Sequence, residues 1–272
     1  MISALLSVAI TVGIVVALVR PVIDFFREVP FGDFFSSEGQ FGVLPLVTAT
    51  LTVTVIALLV AVPLGLGAAM YLSEYASRRA RKVLKPTVEL LAGIPSVVYG
   101  FFALSFVTPT LLQDILHLEV NFTNALSAGL VLGVMVIPTI ASLAEDSLSA
   151  VPQSMRQGSL AMGANRMQTT LRVVFPAALS GVAAAIVLGM SRAIGETMIV
   201  ALAAGAQKNL SLDVREGMQT MTGFIAQTAG GENPVGSTSY NTLFAVGLLL
   251  FVITLVLNVI SISIVRRFRQ VY

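Results

Sequence analysis

The sequence predicts an all-α membrane protein with about six transmembrane helices, and two observations carry that prediction. Of its 272 residues, 56% are hydrophobic and only 11% are charged, with a mean hydropathy of +0.90. A soluble domain carries about 25% charged residues, so this chain has too few to cover a water-facing surface. Six stretches also reach the roughly 20 apolar residues a helix needs to cross hydrocarbon. There the backbone must satisfy its own polar groups, which makes these stretches helical.

The first span is expected at Ile2–Val19. Its apolar run exceeds that of a signal peptide and no small-x-small cleavage site precedes Arg20, so it is read as a retained span. The second, Leu46–Tyr71, contains Pro63, Gly65 and Gly67. The third, Thr87–Thr110, contains Gly93, Pro95 and Gly100, and the fourth, Asn124–Leu143, contains Pro138. Such residues kink helices and let them pack closely, or let them hinge around a pathway; the sequence leaves both open. The fifth span is expected at Ala177–Ala203 and the sixth at Thr242–Val265. Residues 1–45 then form a first helix with an outer loop, 46–265 hold five helices, and 266–272 form a short basic tail.

Orientation follows from the basic loops. Arg78, Arg79, Arg81, Lys82 and Lys85 follow the second span, Arg156, Arg166 and Arg172 the fourth, and Arg266, Arg267 and Arg269 the last. The alternate loops hold only Arg20, Arg27, Lys208 and Arg215, beside acids such as Asp24, Glu28 and Asp213. The first set is expected in the cytoplasm, with both termini.

There is no cysteine, so disulfides and thiolate metal sites are excluded, and the single histidine, His117, makes no imidazole cluster. The net charge of +2 is not gathered into a nucleic-acid footprint. Glu145 and Asp146 are expected to form a solvated helix end, and Glu89 to be interfacial.

Two segments carry the functional signal. The first is the loop from about 146 to 176, where short helical runs at Ser154–Met162 and Arg166–Phe175 flank Gly163. Glycine accepts the left-handed conformation that turns a chain between helices, and Pro176 can open the next helix. Met155, Leu160, Met162, Met167 and Leu171 are apolar knobs beside arginines. They suit either a helix lying on headgroups or a docking element for a cytoplasmic partner. The second is Ser191-Arg-Ala-Ile-Gly-Glu-Thr-Met198 in the fifth span. Arg192 and Glu196 are four apart, so they are expected to share one helix face, where they can pair. An arginine at a helix centre costs about 2.5–3.5 kcal/mol on insertion scales. It therefore serves either as one half of a packing ion pair or as the lining of an anion pathway. Its planar fork suits phosphate-like oxygens.

The loop resembles the EAA loop of binding-protein-dependent ABC importer permeases. Gln157, Gly158 and Ser159 stand at the Glu-Ala-Ala places, Gly163 is the glycine, and Val173–Pro176 is the hydrophobic ending. The fifth-span motif is similar to the Arg-Ala-x-Gly-Glu-Thr signature of phosphate-specific ABC permeases. Leu91–Phe102, Met218–Gln227 and the tail Val265–Tyr272 look like the PstC-type subunit. The resemblance implies a type I ABC importer permease fold over 46–265. It also implies a substrate path at Arg192, Glu196 and Thr197, and coupling to an ATPase through Gln157, Gly158, Ser159, Gly163 and Pro176. The partners it implies are a PstA-type permease subunit, two ATP-binding subunits and an extracytoplasmic phosphate-binding protein, in a bacterial inner membrane. No cofactor is expected in this chain. Its only lysines, Lys82, Lys85 and Lys208, follow Arg81, Leu84 and Gln207, so no Gly-Lys-[Ser/Thr] P-loop exists. ATP-Mg would be bound by the partner ATPase. A permease for a related oxyanion such as phosphonate or sulfate, or an ion-gradient carrier, remains the alternative.

Overall fold

The computed structural model describes residues 2–267, whose regular elements are all helical. Arg269 and the rest of the expected tail beyond Arg267 lie outside the described residues. Five of the described helices are long and apolar enough to cross a membrane, or six when one bent pair is included.

Helix α1 (Ile2–Glu28) runs past the expected Val19 through Arg20 and Pro21. Along its first half Leu5, Ile10 and Ile14 stay exposed, as a lipid-facing helix requires. The one-turn α2 (Phe31–Phe34) then reverses the chain. Its Phe34 joins Phe26 and Phe41 around Phe25, at ring separations of 5.1–5.7 Å. These edge contacts fix the loop after α1 onto the start of the next span.

Helix α3 (Leu44–Tyr75) follows, ending in a wider turn in which the Ala76 amide donates to the Tyr71 carbonyl at 2.8 Å. The third expected span begins late. Thr87 to Leu91 belong to α4 (Arg78–Leu91), an amphipathic helix started by the Ser77 hydroxyl, which accepts from the Ala80 amide. Residues 92–95 break the chain, because Pro95 has no N–H to donate and pushes its predecessor out of helical geometry. The membrane span is α5 (Ser96–Ile115). Helix α6 (Ala125–Ser149) begins where Asn124 accepts from the Ser127 amide at 2.7 Å.

The expected helical pair of the following loop is present as α7 (Gln153–Ala161) and α8 (Arg166–Ala177). Helix α9 (Leu179–Ile194) leaves α8 at 72°. The expected span Ala177–Ala203 is not continuous. It comprises α9 and α10 (Met198–Ala203), separated by residues 195–197. Helix α11 (Met221–Gly230) and the long α12 (Thr238–Arg267) complete the chain.

Parallel α3 and α6 form the centre. A Cβ on Gly129 would stand 2.6 Å from Ile56, one on Gly133 2.8 Å from the Ala57 carbonyl, and one on Gly65 3.0 Å from Ile140. Gly129-x-x-x-Gly133 is thus a small-residue contact that brings two backbones together, the usual basis of association in lipid. Antiparallel α9 also packs on α6, with Gly189 against Ile140 and Val136. Helices α1 and α12 form an outer pair, joined where the Thr238 hydroxyl donates to the Glu28 carboxylate.

Candidate substrate path and coupling surface

The interruption at residues 195–197 places three of the expected path residues. Gly195 closes α9 and Thr197 precedes α10, so Arg192 and Glu196 do not share a continuous helix face. The expected ion pair between them is absent. The Glu196 carboxylate instead accepts from the amides of Met198 at 3.0 Å and Ile199 at 3.4 Å. A carboxylate is favoured there, where the first N–H groups of a helix lack intrahelical partners. Thr197 is half-buried, with its hydroxyl 3.4 Å from the Gly195 carbonyl.

Arg192 is exposed on the single chain. Its Nη2 lies 3.9 Å from Sδ of Met135, near the middle of α6. Among the described residues no carboxylate lies within 4.0 Å of it. The geometry therefore gives a mid-span guanidinium whose charge is not cancelled locally, beside a break in the helix that carries it. Broken helices in a bilayer are tolerated where protein or a wet cavity receives the freed backbone groups.

The break is braced by partners outside the motif. The Thr222 hydroxyl on α11 donates to the Glu196 carbonyl at 2.7 Å. The Met221 amide donates to Thr50 of α3 at 2.9 Å. Ser191 donates to Asn258 of α12 at 2.6 Å. The loop from Gly205 packs over the helix ends: the Leu126 amide bonds the Val214 carbonyl and the Ala125 amide the Glu216 carbonyl. Its helix starts at Met221.

At the opposite end of α6 the α7–α8 loop has a defined shape. Gly163 has φ +85°. Its amide donates to Leu160 at 3.0 Å and the Ala164 amide to Ser159 at 3.2 Å, the paired bonds of a left-handed helix stop. Asn165 and Gln168 then exchange side-chain and backbone bonds to start α8. Gln157 and Gly158 are exposed, as is Pro176, while Ser159 is half-buried against Thr169. Leu160, Met162, Met167 and Leu171 project outward, Met162 being 88% exposed. Met155 does not: it packs inward on the cluster of Ala69, Leu148, Val174 and Val182.

Two ionic contacts, one of them on a buried carboxylate, hold this end together. Arg156 donates to Glu74 at 2.8 Å and to the Leu148 carbonyl at 2.8 Å, tying the loop to the ends of α3 and α6. Glu145 is fully buried, not solvated as expected. It accepts from Arg81, from Lys85 at 2.6 Å and from Ser149 at 2.8 Å. Asp146 is exposed and holds Lys85 at 2.7 Å. The helical period was the available signal: Ala141, Ala144, Glu145 and Leu148 fall on one buried stripe. Glu89 lies exposed on α4.

Comparison with known proteins agrees with this architecture. A family model described as "Binding-protein-dependent transport system inner membrane component" matches residues 61–270. "Probable ABC transporter permease protein YqgH" of Bacillus subtilis (strain 168) is 39% identical, over 80% of this chain and 70% of that one. "Phosphate transport system permease protein PstC 1" of Mycobacterium tuberculosis (strain H37Rv) is 36% identical, over 84% of this chain and 73% of that one. A chain of a bacterial alginate ABC transporter superposes with a TM-score of 0.67 at 16% identity, covering 97% of this chain and 95% of that one.

Proposed function

Because the chain belongs to the family of binding-protein-dependent transport system inner membrane components, we propose that it is a permease subunit of an ATP-driven importer of inorganic phosphate. It is a multi-pass membrane protein with the type I importer permease fold. Phosphate as cargo is supported by the PstC relatives. An oxyanion cargo of this class also suits Arg192, whose fork presents paired donors to tetrahedral oxyanions.

The observation that carries this reading is a guanidinium at mid-span depth with no carboxylate beside it among the described residues. An arginine there costs about 2.5–3.5 kcal/mol to insert. A passing anion that exchanges bonds with it offsets that cost transiently, whereas a permanent salt bridge would block it. Glu196 fixes the shape of the break instead of neutralising Arg192, and Thr197 adds a hydroxyl at the same level. A PstA-type subunit completes the path, and a phosphate-binding protein delivers the anion on the α11 side.

The α7–α8 loop faces the cytoplasm, in keeping with its basic residues, and receives the motion of the separate ATPase subunits. Closure of the ATPase on ATP shifts the permease between inward- and outward-facing states, provided that the ATPase binds the two with different affinity. Reconstituting the complete transporter and measuring ATP-dependent uptake of labelled phosphate against excess sulfate or phosphonate tests the substrate. Competition by either at phosphate-like concentrations would overturn phosphate selectivity.

A further inference from the structure

Helix α4 is joined to α3 through Ala76 and Ser77 and to α5 through residues 92–95, both neighbours being membrane spans. It is therefore held at the membrane–water boundary, and none of its residues is buried. At 100° per residue its sequence separates into two faces. Val83, Leu84, Leu90 and Leu91 form an apolar stripe, in which Val83 is 65% and Leu90 74% exposed. The opposite face is basic, and Arg79, four residues before Val83, borders the stripe. Arg81 and Lys85 on its inner side are engaged by Glu145 and Asp146 of α6. Arg78, Arg79 and Lys82 have no carboxylate within 4.0 Å among the described residues. A groove of about 480 Å³ runs along this face, lined by Arg78, Arg81, Lys82, Lys85, Pro86 and Glu89.

We propose that α4 is an in-plane anchor that binds anionic phospholipid on the α7–α8 side of the membrane. The apolar stripe lies among acyl chains, and Arg78, Arg79 and Lys82 reach headgroup phosphates. An amphipathic helix with cations flanking its apolar stripe suits that interface, since long basic side chains lay their stems on apolar surface and extend their charge to the headgroups. Charge selects the lipid class. A zwitterionic surface would cover the apolar stripe but leave three cations uncompensated, whereas anionic headgroups answer both. The clamp on α6 fixes which way α4 is turned, so the lipid site is presented by the fold. This holds whichever anion the transporter carries.

The test uses the assembled transporter in vesicles of phosphatidylcholine and phosphatidylglycerol, with spin-labelled forms of both lipids as probes. The labelled phosphatidylglycerol is expected to associate more strongly. The triple variant Arg78→Gln/Arg79→Gln/Lys82→Gln keeps the Arg81 and Lys85 clamp and should lose most of that preference, at about fivefold per residue in low salt. An unchanged preference in the triple variant overturns the proposal. A nitroxide at Val83→Cys, in a chain with no other cysteine, reads the occupant directly. It should collide with oxygen and be protected from a water-soluble relaxant whether or not the ATPase is present. Exposure to water, or protection gained only when the ATPase joins, would assign this face to solvent or to a protein.

Discussion

Ser159 and Thr169, on α7 and α8, share a hydroxyl–hydroxyl hydrogen bond of 2.9 Å across the turn at Gly163. The left-handed residue and the bond it permits make the two short helices one rigid surface, with Met162 and Met167 projecting from it. A surface that transmits motion has to move as a unit, which is why this turn governs coupling in the proposed mechanism.

Substitution at Gly163 should follow backbone preference, not size. No atom lies within 4 Å of a Cβ there, so the cost is that of φ +85°, roughly 1–2 kcal/mol for an ordinary L-residue. Asparagine is expected to keep most ATP-driven uptake, alanine less, and valine least. Uptake and ATPase co-purification give the order; a fully coupled valine variant would contradict it.

Met162→Glu should weaken ATPase association by about 2 kcal/mol or more, as expected for an apolar residue at the centre of an interface. Because the side chain is exposed, the thermal stability of the chain should change by no more than about 0.5 kcal/mol. A pull-down titration beside a melting curve separates the two effects.

Glu145→Gln removes the charge that holds Arg81 and Lys85. Truncating one side of a fully buried pair costs about 3–5 kcal/mol; with both cations partly exposed, about 2 kcal/mol is expected after screening. Asp146→Asn, at an exposed site, should cost under about 1 kcal/mol. Hydrogen bonds to Asp146 and Glu145 raise the Lys85 pKa above 10.5. Its contribution is therefore complete below 10.5 and is lost as pH rises through the elevated value. An α4–α6 spin-label distance should stay constant through neutral pH and lengthen only in strong alkali.

Gly133→Leu forces a side chain against the Ala57 carbonyl. Overpacking of this kind costs about 1–3 kcal/mol, so the thermal midpoint and membrane abundance should fall. Gly67→Leu, where a Cβ meets nothing within 4 Å, is the matched control and should leave both near wild type.

The spans were legible because bilayer thickness demands long apolar runs, and composition alone reveals those. The Gly163 turn was legible because a glycine between two short helical runs has few other uses. The division between α4 and α5 was harder to read, since Val88–Leu91 and Ser96–Phe102 merge into one hydropathic stretch once the break at residues 92–95 is averaged away. The Arg192–Glu196 pairing failed for a related reason. Four-residue spacing implies a shared face only on an unbroken helix, and Gly195 ends α9 between them. Glu145 was misplaced because its partners are 60 and 64 positions away, on α4, beyond the reach of any local pattern.

The central claim is that Arg192 meets the transported anion. The most direct measurement is ATP-driven phosphate uptake by the complete transporter in proteoliposomes, comparing wild type, Arg192→Lys and Arg192→Gln at equal protein density. A charge-assisted hydrogen bond is worth about 1.5–3 kcal/mol, so the glutamine variant should lose roughly tenfold to a hundredfold in uptake while basal ATP hydrolysis persists. The lysine variant should retain an intermediate rate. Wild-type uptake by Arg192→Gln would show that the guanidinium serves packing alone and that phosphate passes elsewhere.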